Sequence, residues 1–185
     1  MPGKFRRIGI RVPPTQSEIE AHEFARDVLL TGATRVGAQF TDPDDDWRPI
    51  WFVLTKTQGT IITPGADVEK YETTHYVGDL ARRWGAVGIG HLHSSWLVIG
   101  PELAQRAYDQ HGSTEGIDER IEVLLLATYT AGNARHYTAR IERHDDTPPT
   151  LAPLELMFDT ADAEDGMNVT GAMVDPLMSA LERVG

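Results

Sequence analysis

The chain has 185 residues, 41% of them hydrophobic, a formal charge of −11 and no cysteine. That length supports one well-formed core. The acidic balance and scattered arginines disfavour binding to a phosphate backbone; the lack of cysteine excludes disulfide frameworks, thiolate nucleophiles and Cys-based metal centres.

Residues 1–14 read as an arm or short edge strand ended by Pro13 and Pro14. Thr15 and Glu18 have capping-box spacing, and Ala21, Phe24, Ala25, Val28 and Leu29 then recur at helical intervals up to a stop at Gly32. Strands are expected over 34–40 and 50–56, joined by an acidic loop, with a turn at Thr57 to Gly59 leading into 60–63. A second helix fits between Asp67 and Trp84, closed by Gly85.

The apolar run 86–99 is longer than one ordinary strand, so a strand through Ser94 and a second segment over 96–99 are expected. Pro101 can open a short helix through Tyr108. Residues 121–130 and 135–143 flank Ala131-Gly132-Asn133, a hairpin signal. An acidic linker over 159–166 precedes a last helix over 176–184, which carries Leu177, Met178, Leu181 and Val184 on one face. The expected fold class is α+β, with a mixed or mostly antiparallel sheet of about five to six strands and helices mainly on one side. The organisation reads as an arm (1–14), a single α+β domain (15–158) and a linker with a C-terminal helix (159–185).

Chemistry concentrates at His91-Leu92-His93-Ser94-Ser95. Alternation in a strand sends both imidazoles to one face, about 6 to 7 Å apart, a spacing suited to two ligands of one divalent metal such as zinc. A third ligand must come from elsewhere: His136 on the hairpin, or His75, Glu69 or Glu72 near the second helix. Asp42, Asp44, Asp45 and Asp46 form a carboxylate cluster of the kind hard cations favour. Gly88 and Gly90 fall inside the strand rather than after it, which points to close approach by a helix and not to a dinucleotide fingerprint. Trp47 and Trp51 flank the acidic loop and are placed to border a partner surface.

The order of elements, with Gly88-Ile89-Gly90-His91-Leu92-His93-Ser94 on a strand, resembles the JAMM (MPN-type) metallopeptidase domain over residues 15–140. In that family a His-x-His strand is followed by Ser-x-x-Asp, and a glutamate on an earlier strand is the general acid/base. Here no Ser-x-x-Asp follows, and segments 34–40 and 50–56 hold no glutamate, so the activity does not carry over. A cupin pattern would need a glutamate where Leu97 or Val98 stands. His93-Ser94-Ser95-Trp96 and His136-Tyr137-Thr138-Ala139 are similar to the paired His-x-Ser/Thr motifs of 2H phosphoesterases, whose histidines act as general acid and base. Beyond enzymes, residues 18–156 resemble small α+β proteins of actinobacteria, a likeness that implies no activity.

The leading expectation is a protein-binding or accessory module, with a metal-dependent hydrolase on His91, His93 and His136 as the alternative and a 2H-like phosphoesterase third. Strand edges and the C-terminal helix are the expected contacts for a protein partner or a second copy. No nucleic-acid or membrane partner is expected: the chain has no run of roughly 18 apolar residues and no apolar leader follows its first residues, which makes the cytoplasm the expected compartment.

Overall fold

The computed structural model describes residues 4–14, 17–98, 118–160 and 174–182, with positions 100, 102, 103, 105, 106 and 109 between them. Among these residues the chain forms strands β1 (Phe5–Arg11), β2 (Ile50–Leu54), β3 (Gln58–Pro64), β4 (Gly88–Leu97), β5 (Ile121–Tyr129), β6 (Ala134–Glu142), β7 (Thr150–Leu151) and β8 (Glu155–Asp159). Helices α1 (Glu18–Gly37), α2 (Lys70–Trp84) and α3 (Val174–Leu181) complete it. The class is α+β. All strands join one antiparallel sheet in the order β1-β3-β2-β4-β5-β6-β7, with β8 also on β6 through a register shift between His136 and Tyr137.

Eight strands exceed the five or six expected, because β1 pairs along its whole length with β3 and the segment after Thr150 adds β7 and β8. The helices also cover both faces, not mainly one. Phe52, Leu54, Leu92, Leu124 and Leu126 pack with Ala21, Ala25, Leu29 and Ala33 of α1. Their strand neighbours Trp51, Val53, Ile89, Ala127 and Tyr129 pack with Val77 and Ala81 of α2 and Leu177 and Leu181 of α3. Two-sided burial explains why β2 reads as an unbroken apolar run instead of an alternation.

The segment 34–40, expected as a strand, is mostly helix: α1 runs through Gly32 to Gly37 and is capped at Ala38. A glycine inside a helix costs about 1 kcal/mol, and the burial of Leu29 and Ala33 against the sheet outweighs it. Trp47 fastens this last turn. Its Nε1 donates to the Ala33 carbonyl at 2.9 Å, and its ring lies against Gly37. The helix start also falls later than expected, with Ser17 as N-cap accepting from the Glu20 amide at 3.2 Å; Thr15 lies outside the described residues.

α2 ends at Gly85 in the left-handed region (φ 61°), as the sequence signals, and β4 runs unbroken to Leu97 with no bend near Trp96. The β5–β6 hairpin forms around residues 130–133. The short helix expected from Pro101 and most of the acidic linker lie largely outside the described residues. In α3, Leu177, Ala180 and Leu181 are buried, and the Pro176 carbonyl lies 3.0 Å from where a Cβ on Gly78 would stand. The apolar face of that helix is therefore consumed by the core, which removes it as the expected contact element.

α1 crosses β4 at the expected glycines. A Cβ on Gly90 would meet Leu29 Cδ1 at 2.7 Å, and one on Gly88 would touch Ala21 at 3.4 Å. Gly90→Ala should cost about 1–3 kcal/mol by overpacking. In a double-mutant cycle measured by urea unfolding, Leu29→Ala should absorb part of that cost, so the two losses fall short of additivity; strict additivity would show that α1 does not bear on Gly90.

Candidate functional site

β4 is hydrogen-bonded to β2 on one side and β5 on the other, so its side chains have only the two sheet faces to choose between. Gly88, Gly90 and Leu92 take the α1 face; Ile89, His91, His93 and Ser95 take the opposite one. Register then sets the neighbours of His91: Trp51 pairs with it from β2, Ala127 from β5, and beyond Ala127 come His136 on β6 and Phe158 on β8. Tyr129 enters the same face diagonally, since it pairs with Ile89.

The rings form a continuous series. Centroids lie 6.4 Å apart for Trp51 and His91, 5.2 Å for His91 and His93, 5.7 Å for His91 and Tyr129, and 6.0 Å for Tyr129 and His136. Trp51 is 0% exposed, Tyr129 1%, His91 2% and His93 8%, whereas His136 is only partly buried, so the series is shut at the tryptophan and opens toward His136. Five buried polar atoms in it have no hydrogen-bond partner: Trp51 Nε1, His91 Nδ1, His93 Nδ1, the Tyr129 hydroxyl and His136 Nε2. Buried polar groups in native folds are nearly always paired. Here five orphans lie along one face of the sheet.

Electrostatics keep the imidazoles neutral. Burial pushes His91 well below the usual histidine range, with His93, His136 and Lys70 adding smaller effects in the same direction. Burial, then Lys70, lowers His93 to about 4, and burial lowers His136. Burial also raises the Tyr129 phenol, so it stays protonated.

The sequence candidates divide clearly. His91, His93 and His136 share the face, but the Tyr129 ring stands between His91 and His136. His75, Glu69 and Glu72 are exposed on α2, and Glu72 pairs with Lys4 at 3.0 Å, so none of the three turns toward the histidines. Among the described residues no three His, Asp or Glu side chains come close enough to hold a metal ion. Beside His91 on β2 is Trp51, not a carboxylate. Ser95 and Thr138 do fall on the histidine face, with Thr138 separated from His93 by Leu125.

The acidic loop is spoken for. Asp45 accepts from the Thr41 and Asp42 amides at 2.7 and 2.9 Å, which hold its carboxyl below the usual range, and Asp46 accepts from the Ser94 hydroxyl at 2.8 Å. Arg143 donates to the Pro43 and Asp45 carbonyls at 2.9 and 2.8 Å, supplying positive charge within the loop itself. Trp47 and Trp51, expected to border a partner, are both buried.

A second polar cluster escaped the sequence reading. On the α1 face, buried His22 bonds the Thr128 hydroxyl at 2.8 Å through Nδ1 and the Thr130 hydroxyl at 3.2 Å through Nε2. Arg135 pairs with Asp159 at 2.7 Å nearby. The signal was available in Thr128-Tyr129-Thr130, a polar alternation in an otherwise apolar strand, and in a histidine on the apolar stripe of α1. Both ring nitrogens are satisfied, so this cluster braces α1 to the hairpin.

No protein-family model, curated protein or solved structure matches the chain. Among the described residues no helix is long and apolar enough to cross a membrane.

The histidines set the acid limit of the fold. Burial lowers His22 to about 4, helped by Arg135 and opposed by Asp159, alongside the lowered His91, His93 and His136. Each is neutral when folded and titrates near 6.5 when unfolded, so the unfolded chain binds more protons below that pH. Stability should hold steady above about pH 6.5 and fall between there and pH 4, by about 1.4 kcal/mol per unit for each of the deeply buried His22, His91 and His93. Urea unfolding at pH 7.5, 6 and 5 checks this; a midpoint unchanged across that range would contradict neutral buried imidazoles.

Proposed function

We propose that this chain is a cytoplasmic accessory module that binds a small polar ligand on the imidazole-lined face of β4, β5 and β6. The observation that carries the reading is the run of five unpartnered buried polar atoms on Trp51, His91, His93, Tyr129 and His136. Leaving a buried donor or acceptor unsatisfied costs about 1–3 kcal/mol, and a fold with only about 5–15 kcal/mol of stability keeps such groups where a bound molecule completes them. Trp51 in place of a carboxylate beside His91 favours binding over hydrolysis.

A zinc-type metal held by His91 and His93, as in a metal-dependent hydrolase, is the second reading. Their 5.2 Å ring separation favours it, and the intervening Tyr129 ring, which keeps His136 away, weighs against it. Stoichiometric zinc retained after equilibrium dialysis by the native chain and lost in His91→Leu would replace the first reading with this one.

The ligand-site reading predicts that removing an orphan stabilises the unliganded protein. Tyr129→Phe should gain about 1 kcal/mol, a rise in Tm of about 2–4 °C for a chain of this size, and His91→Leu should also be no less stable than the native protein. Loss of stability in both variants, measured by calorimetry on dialysed protein, would show these polar groups to be structural and overturn the reading.

A further inference from the structure

We infer that the occupant of this face is an oxyanion, a phosphate or carboxylate group whose oxygens accept hydrogen bonds from the Trp51 indole, the Tyr129 hydroxyl and the His91 and His93 imidazoles. This rests on the reading of the face as a ligand site and adds the chemistry of the ligand.

The indole decides the sign. Trp Nε1–H is a donor only, so neither a metal ion nor a second donor can satisfy it. A buried, unpartnered Trp51 Nε1 asks for an acceptor. The Tyr129 phenol is held protonated by its burial and offers a donor of its own. Each neutral imidazole keeps one N–H to give. His91 and His93 are stacked at 5.2 Å with their planes 21° apart, so they lie side by side instead of bonding each other, an arrangement suited to a group with more than one oxygen.

Charge points the same way. Among the described residues, the charged side chain whose field reaches both His91 and His93 is Lys70, the first residue of α2, and no carboxylate is among the groups that shift His91, His93 or His136. A cation entering here would meet positive potential and no counter-charge. An anion would meet the field of Lys70 and a set of fixed donors in a water-poor environment where such bonds are strong. The net charge of −11 repels anions at long range, so binding depends on these local contacts and not on steering.

The test reads the indole directly. In a proton–nitrogen correlation spectrum of the full-length ¹⁵N-labelled chain, the four tryptophans give four indole signals, and Trp51→Phe identifies one of them. The protein is titrated separately with inorganic phosphate, with succinate, and with neutral acetamide. The inference expects the Trp51 signal to move downfield and saturate with phosphate or with succinate, the responding arm naming the anion class. The Trp47 signal, already bonded to Ala33, should stay in place. Tyr129→Phe should weaken binding about tenfold, roughly 1.4 kcal/mol, and exposed Lys70→Gln should weaken it several-fold without changing Tm. If Trp51→Phe fails to fold, the signal that Tyr129→Phe and Lys70→Gln perturb in the titration serves instead. Saturation by acetamide alone overturns the oxyanion while leaving a ligand site standing. No response to either anion also overturns it, and loss of stability in both Tyr129→Phe and His91→Leu would then remove the site reading as well.

Discussion

The structure depends on the burial of β4 on both faces. The strand is bonded to β2 over residues 88–92 and to β5 over residues 89–97, and covered by α1 on one side and by α2 and α3 on the other, so its residues from Gly88 to His93 must suit an interior. On the α1 side the answer is smallness. Gly88 and Gly90 let the Ala21, Ala25 and Leu29 stripe lie almost on the strand backbone. On the other side the residues are large and polar, and the interior they enter gives them no partners. One strand thus carries close helix packing on one face and, among the described residues, unpartnered polar groups on the other.

That contrast is informative because the same protein shows how it treats a buried polar group meant to be structural. His22 sits at 1% exposure, as deep as His91, yet both its nitrogens meet threonine hydroxyls from β5. Trp47 is as buried as Trp51, yet its indole reaches a carbonyl at 2.9 Å. Each polar type orphaned on the β4 face thus has a satisfied counterpart on the α1 face, apart from the phenol. The unpaired set is not a general looseness in the interior. Among the described residues it is confined to one patch, in which the His91 ring contacts both Trp51 and Tyr129.

Much of this was legible where the signal was local. The period-two pattern of β4 placed His91 and His93 on one face, Gly85 marked the end of α2, and Ala131-Gly132-Asn133 marked the hairpin. Where two cues conflicted, the sequence misled: Gly32 and the β-branched Thr34 and Val36 argued for a helix stop and a strand, while burial of Leu29 and Ala33, and the Trp47 anchor, carried the helix on. The site was half visible. Its histidines could be named, but Trp51 and Tyr129 belong to it only through the registers of β2 and β5 against β4, and register between distant strands is written in no local pattern. Similarly, the unbroken apolar run of β2 held the clue to two covered faces.

The resemblance to a metallopeptidase strand gains its meaning from what stands next to it. A His-x-His pair is chemically ambivalent, because neutral imidazole is both a ligand for a metal and a donor to an acceptor. The neighbour on β2 bears on the choice. A carboxylate at that position would supply negative charge for a cation and a base for its water. An indole supplies neither, but adds one more N–H beside His91. With Tyr129 protonated on the other side and the field of Lys70 reaching both histidines, the patch adds donors and positive charge to the one acceptor nitrogen that each neutral imidazole keeps. The tryptophan beside this His-x-His pair thus contributes a donor where a carboxylate would have contributed negative charge.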